Sequence, residues 1–404
     1  MHLAQTSALG PRVRLAIFGL GITQIIGWGS TYYLLSLLAP EIGRALGLSS
    51  AATLAGASLP LVAAALFGPR IGRWQDRAGS RVVMSTGSII TGLGLGLLGF
   101  APDAAFYYLA WSVIAIGGPM ILYSAAFTAL TQIAGAQARR AISFLTFMGG
   151  LASTIFWPFT AWLQSFLDWR SIAFVFAVMH LVICLGIHLR LPATGEARSD
   201  AGTAPPALPP GLPPEAHLLA FLLLAAMLAL NGLIFNAWSL LVFEVLKGIG
   251  FVPAAAIAIG SLVGAFQVAG RVGELLFGGR YSAMWTGLIS AICLPVAFMV
   301  LQVSGGGVGL GGLFAALYGI SNGLLTIARG ALVLAMFGTR GYGERLNRVT
   351  VAQNAAGAVA PILGGFLLDR LGAPMVVSLM FATALVSLAL MLLLRRHCAR
   401  NGLT

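Results

Sequence analysis

Apolar stretches of membrane-spanning length, repeated along almost the whole chain, constrain this sequence more than any motif it carries. An α-helix rises about 1.5 Å per residue, so about 20 apolar residues cross a hydrocarbon layer of about 30 Å. Charged residues make up only 8% of the 404 positions, where a soluble chain carries roughly 25%. So few charges do not cover a water-facing surface, and lipid must be the main solvent. Alternating segments of strand length are absent, which excludes a transmembrane β-barrel. The expected fold class is an all-α polytopic membrane protein.

Twelve spans are expected, at about 15–38, 51–71, 82–101, 105–132, 142–166, 171–190, 218–243, 253–276, 285–303, 310–336, 348–368 and 375–394. Between the sixth and seventh, the stretch 191–217 holds seven prolines with glycine, alanine and a few charges. That composition reads as a solvated, extended linker without a packed core. It divides the chain into an N-terminal six-helix bundle (1–190), the linker (191–217) and a C-terminal six-helix bundle with a short basic tail (218–404). The halves echo each other. Pro69-Arg70-Ile71-Gly72 recurs 201 residues later as Gly270-Arg271-Val272-Gly273, Asp168 matches Asp369 at the same offset, and Pro158 matches Pro361 at 203. Nearly equal offsets of about half the chain point to duplicated halves, with a substrate site expected at their interface near mid-membrane.

The net charge of +12 does not indicate nucleic acid, because the basic residues sit in separate short loops rather than in one patch. They act as topology signals. With the N-terminus in the cytoplasm, seventeen of the 23 lysines and arginines fall on the cytoplasmic side and four on the other, leaving Arg271 and Arg329 inside spans. Both termini are therefore expected in the cytoplasm, in a bacterial inner (plasma) membrane. Arg12 and Arg14 precede the first apolar run in the manner of a signal peptide. That run extends to Leu38 without a small-residue cleavage pattern, so an uncleaved first span is expected. Cys184, Cys293 and Cys398 are scattered and have no metal or redox spacing. No metal, cofactor or nucleic-acid partner is expected, and no nucleophile–base–orienter set supports an enzyme.

The loop between the second and third spans reads Gly72-Arg73-Trp74-Gln75-Asp76-Arg77-Ala78-Gly79-Ser80-Arg81. Gly72, Asp76, Arg77, Gly79 and Arg81 match the superfamily pattern of Gly, three residues, Asp, a basic residue, any residue, Gly, any residue, a basic residue. With twelve spans and a central linker, the whole chain resembles the major facilitator superfamily of secondary transporters. The resemblance implies twelve helices in two pseudo-symmetric six-helix bundles. It also implies a gating loop whose acid caps a neighbouring helix or pairs with basic groups, steadying the outward-open state. That role is carried to Asp76 and Arg77. The second half's counterpart, Phe277-Gly278-Gly279-Arg280, lacks the acid, so an asymmetric gate is expected. Span four lacks the arginine of the proton-antiporter drug exporters. Of their Gly-Pro-Gly-Gly signature, span five offers only Gly149, Gly150 and the later Pro158. Gly270-Arg271 in span eight resembles the oxalate/formate antiporter and monocarboxylate transporter branches, where a span-eight arginine binds the substrate carboxylate. The second anion ligand that oxalate members place in span eleven, a lysine, is missing here.

A charge at the centre of a span costs roughly 2.5–3.5 kcal/mol on insertion scales, so Arg271, Glu274 and Arg329 stand out. Gln267, Arg271 and Glu274 share one helix face at i, i+4 and i+7, and Asn322, Thr326 and Arg329 repeat the spacing in span ten. Both faces are too polar for lipid and are expected to line a cavity between the halves. Two arginines against one glutamate leave that cavity positive, which suits a small organic anion gripped bidentately. Glu274 is the candidate proton-coupling group, since a glutamate in low dielectric titrates at raised pH. Alternative readings are arginines that snorkel to the interface or an inert brace of Glu274 with Arg271 or Arg329. Uncharged candidates are Gln24, Trp28 and Tyr32 in span one, Tyr123 in span four, Asn236 in span seven, and Gln353 and Asn354 in span eleven. The family resemblance implies that spans one, four, seven and ten line the cavity.

The expected function is alternating-access transport of a small, monocarboxylate-like anion, coupled to protons or to exchange. The alternative is a proton-coupled exporter of drug-like or amphipathic compounds, binding through Trp28, Tyr32, Phe127 and Trp157. The expected partners are the lipid bilayer, the solute and a coupling proton or counter-anion, with the chain working as a monomer.

Overall fold

The structure, a computed structural model, describes residues 10–192 and 211–403; most of the expected linker, 193–210, lies outside them. The described residues are helical with no strand, and they make twelve passes. In order these are Pro11–Leu46, Ser50–Ala55 continued by Leu59–Ala78, Ser80–Gly99, Ala104–Ile121 continued by Tyr123–Ala134, Ala138–Gly150 continued by Ala152–Gln164, and Trp169–His188. The second half runs His217–Gly248, Pro253–Phe277, Ala283–Gln302, Val308–Phe337, and Tyr342–Arg400, which holds two passes parted at Gly372 by a φ of 76°. Spans two and eleven are missing from the described helices that are long and apolar enough to cross a membrane by composition. They are also the two that carry Arg70, Arg73, Asp76 and Arg77, and Glu344, Arg345 and Arg348. Part of that polarity is satisfied between the two spans, where Asp76 meets the start of span eleven and Arg73 meets Glu344, while Arg70, Arg77 and Arg348 stay exposed.

Local chemistry sets the helix starts and breaks. Asp103 and Asp168 cap spans four and six, accepting from Phe106 N at 2.9 Å and Ser171 N at 2.8 Å. The bonds from Ser171 hold the Asp168 carboxyl below the usual carboxylate range. Span one carries a turn of π-helix at Trp28–Tyr32, and span four breaks at Leu122, where the backbone becomes extended. Within lipid a broken helix must satisfy its freed backbone groups. Here Gln24 Nε2 donates to Ile121 O at 2.7 Å. His180 and His188 of span six are fully buried, where a lipid-facing position would have been ordinary. They meet Ser30 Oγ and Ser88 Oγ, both at 2.8 Å, and tie span six to spans one and three. The described residues at the two ends of the expected linker are packed. Leu191 and Leu212 are buried in the core, and Leu212 N donates to Met336 O at 2.9 Å.

The packing differs between the two ends of the molecule. At the end bearing the arginine-rich loops, one apolar core crosses both halves and joins Leu130, Ile142 and Leu145 to Ala328, Leu332 and Leu346. At the opposite end each half keeps its own core, around Leu38, Leu98 and Trp111 in the first and Phe251, Phe298 and Phe314 in the second. The halves are therefore closed on the basic face and parted on the other.

The closest seam is between spans two and eleven at Gly72 and Gly343. A Cβ at Gly72 would collide with the backbone carbonyl of Gly343. Backbone cannot move aside as a flexible side chain does, and overpacking typically costs about 1–3 kcal/mol. Gly72→Ala is accordingly expected to loosen the basic face. Hydrogen exchange at Gly343 and Glu344 should accelerate, and unchanged exchange there would show that this approach does not hold the halves.

Candidate functional site

Between the halves, toward the parted face, lies a cavity of about 540 Å³, continuous in its lining with a second lobe of about 450 Å³. Trp28, Tyr123, Asn236, Gln267, Asn322 and Arg329 border both lobes. Arg271 borders the first lobe and Tyr32 the second. Among the described residues, no aspartate or glutamate lines either lobe. Arg329 Nη1 donates to the neutral Gln353 Oε1 at 3.3 Å, and the Nε of both arginines has no acceptor among the described residues. Arginine does not lose its charge at working pH, so the cavity holds two guanidinium charges with donors to spare.

Span five receives one of them. A Cβ on Gly150 would collide with Nη1 of Arg271, and one on Gly149 would lie against the Tyr123 hydroxyl. The pair Gly149–Gly150 is thus a notch in the first half that admits an arginine from the second. Tyr123 is in turn held by rings. Its centroid lies 5.3 Å from Trp28 and 5.4 Å from Phe127, which stacks behind it. Trp28 meets Tyr32 edge-on at 5.8 Å.

Of the expected binding residues, Arg271, Arg329, Asn322, Thr326, Gln267, Trp28, Tyr32, Tyr123, Asn236, Gln353 and Asn354 gather around this space. Gln24 does not. It is completely buried and spent on the broken turn of span four. The side chain of Trp157 lies outside the described residues. Sequence reasoning passed over Tyr33, Thr154, Phe235 and Ser261, which also border the first lobe. It also weighed Gly149–Gly150 only as a remnant of an exporter signature. A large cation expected in the facing helix was the available signal for that notch.

Glu274 is placed differently from expectation. It keeps the helical face of Gln267 and Arg271, yet seven residues carry it about 10 Å along the axis from Gln267, to the level where the halves touch. It pairs with neither cavity arginine. Arg139 Nη2 of span five approaches Glu274 Oε1 at 3.0 Å, Tyr281 donates to Oε2 at 2.7 Å, and Thr286 Oγ1 lies 3.1 Å from both oxygens. Arg139 also donates to Thr286 Oγ1 at 3.0 Å and to the Tyr281 carbonyl. Burial and the bond to Glu274 push the Tyr281 hydroxyl well up. This is a latch between the halves, and Arg139 is the partner the sequence did not single out.

The other latch centres on Asp76. Its two oxygens accept from Gly343 N at 2.9 Å and Glu344 N at 2.8 Å, at the start of span eleven. Helix N-termini favour such a carboxylate. Glu344 meets Arg73 at 3.2 Å and Arg348 at 2.6 Å. Gly79 adopts the positive φ of 85° that ends span two. Arg77 and Arg81 are exposed on the basic face.

The sequence profile of the Major Facilitator Superfamily matches residues 20–324. Monocarboxylate transporter 13 of Rattus norvegicus is 26% identical over 77% of this chain and 72% of its own length, and its counterpart in Bos taurus is similar by the same shares. An uncharacterized 38 kDa protein of Thermoproteus tenax, described as in a 23S RNA operon, is 28% identical over 166 residues, and the chain spans 43% of its length. Among solved structures, the human organic anion transporter MFSD10 (TETRAN) superposes with a TM-score of 0.72 at 15% identity, over 95% of this chain and 100% of that one. The proton:xylose symporter XylE does so with 0.70 at 13% identity, over 95% and 96%.

Two outcomes are expected from this geometry. Gly150→Ala should drive Arg271 out of its notch, raising its reaction with phenylglyoxal as read peptide by peptide in mass spectra. An unchanged rate would mean that the notch does not hold the guanidinium. Glu274→Gln leaves Arg139 facing a neutral group, and breaking a buried pair typically costs about 3–5 kcal/mol. Spin labels across the basic face should then report longer distances. The double variant with Arg139→Gln should go little further than the worse single one, since the pair acts as a unit. Additive effects would show that the two residues act separately.

Proposed function

The chain belongs to the major facilitator superfamily of transporters, and we propose that it carries a small organic carboxylate across the membrane by alternating access. The observation that carries this reading is the pair Arg271 and Arg329 facing one cavity that no described carboxylate lines. An anion held between them would fill the donors the protein leaves unpaired, and charge-assisted bonds to arginine are both strong and directional. The rings of Trp28 and Tyr123 would enclose its apolar body. The name monocarboxylate transporter 13, borne by two relatives, accords with this substrate class.

The basic face is assigned to the cytoplasm by the positive-inside rule, which makes the described state outward-open. Rocking of the halves would break the Asp76 and Glu274 latches and close the cavity on the far side. Asp76, Arg77 and the glycines Gly72 and Gly79 are assigned to gating, with Arg81 at the edge of the same loop. Glu274 is assigned to the latch with Arg139. With no described carboxylate in the cavity to carry a proton, exchange of one anion for another is the coupling the site favours. One copy of the chain holds the cavity and both latches, which supports a monomeric working unit, and no enzymatic role is assigned to it.

Counterflow in proteoliposomes across a panel of small carboxylates tests the reading. Arg271→Gln and Arg329→Gln should each weaken apparent affinity about 10- to 100-fold, the worth of one hydrogen bond to a charged group. Neutral amides of the same acids should not move. If carboxylates fail to move, or both variants transport normally, the anion reading falls. Intact export of amphipathic compounds by Arg271→Gln would instead favour binding through Trp28 and Tyr32, since Phe127, expected to join them, is buried behind Tyr123 and borders neither lobe.

A further inference from the structure

The outer face of span two carries a basic surface that turns away from the central cavity, beside the gating loop. At its end, Arg70, Arg73, Trp74 and Arg77 line a shallow depression of about 250 Å³, with no acid among the described residues that line it. Arg70, Trp74 and Arg77 are exposed. One and two turns earlier on the same helix, Val62, Leu66 and Phe67 are exposed as well. Spacings of three and four residues put all of these on one side of the helix. The opposite side, with Pro60, Leu61 and Ala64, borders the central cavity, and Gly72 and Asp76 meet span eleven. The outer side therefore runs from an apolar stripe, through a tryptophan, to three guanidinium groups.

That order matches the cross-section of a lipid monolayer. Exposed Val, Leu and Phe face acyl chains, tryptophan rests at headgroup level, and arginines there reach phosphate oxygens. Arg70 donates one bond to Leu66 O at 3.1 Å, which leaves other donors of its fork free for a ligand. Arg73 lies 3.2 Å from Glu344 with its side chain 43% exposed, so a bound phosphate would share it with the latch. We infer that this face binds an anionic phospholipid, with its phosphate among Arg70, Arg73 and Arg77 and one acyl chain along Val62, Leu66 and Phe67. Soluble phosphate would use the arginines alone, and the continuous apolar stripe is what selects the lipid.

The test is native mass spectrometry of the full-length, detergent-purified protein with added phosphatidylglycerol or phosphatidylcholine. The wild type should retain phosphatidylglycerol in clear preference to phosphatidylcholine. Arg70→Gln with Arg77→Gln, which leaves the Arg73–Glu344 contact in place, should weaken that binding roughly 10-fold or more, since each basic residue near a membrane surface contributes roughly five-fold. Excess inorganic phosphate should leave the lipid bound. Should the double variant not purify as a single species, Trp74→Ala replaces it and should lower retention of phosphatidylglycerol. Equal retention of the two lipids, unchanged binding by the variant that is used, or displacement by inorganic phosphate would each overturn the inference.

Discussion

Two guanidinium groups share a membrane cavity that no described carboxylate neutralises, and the rest of the arrangement depends on how they are tolerated. Placing such a charge at the centre of a span costs roughly 2.5–3.5 kcal/mol on insertion scales. Arg271 is 7% exposed and Arg329 bonds to a neutral amide. The cost is met by geometry that keeps water or an anion within reach. The halves part on one face, and the Gly149–Gly150 notch admits Arg271 into the first half. A side chain at Gly150 would close the space in which the charge is held, and one at Gly149 would displace Tyr123 beside it.

The parted face requires a closed one. The two contacts that close it are related by the internal repeat, but with their charges exchanged. Glu274 lies 201 residues after Arg73, the repeat offset. Arg73 pairs across the halves with Glu344, whereas Glu274 pairs across them with Arg139. The pairs also differ in environment. Glu274 is almost wholly buried and Arg73 is half exposed, so breaking the former costs far more than breaking the latter. Asp76 adds a helix cap that has no counterpart, since Phe277 stands at its equivalent position. The gate is thus unequal in chemistry, but each half supplies a latch.

Much of this was legible in the sequence. Helical spans follow from the scarcity of charge, and the arginines in spans eight and ten follow from their helical spacing to Gln267 and Asn322. What spacing gives is the side of a helix, and it leaves open the depth along the axis and the partner. Glu274 shares the stripe of Arg271 but sits below the cavity, where a residue of another span meets it. Arg139 reads in sequence as one more basic loop residue. Gln24 falls among the polar residues of span one, a span that the family resemblance places on the cavity. Its partner is a carbonyl freed by a helix break 97 residues away, which composition does not disclose. Glycine notches are illegible for the same reason, since their meaning lies in the side chain that enters them.

The role of the two arginines turns on where an anion binds. Crystals of the protein soaked with 4-bromobenzoate, with the bromine located by anomalous scattering, address that directly. The carboxylate should lie between Arg271 and Arg329, with the brominated ring toward Trp28 and Tyr123. A bromine peak elsewhere in the cavity, with the carboxylate touching neither arginine, would contradict the account.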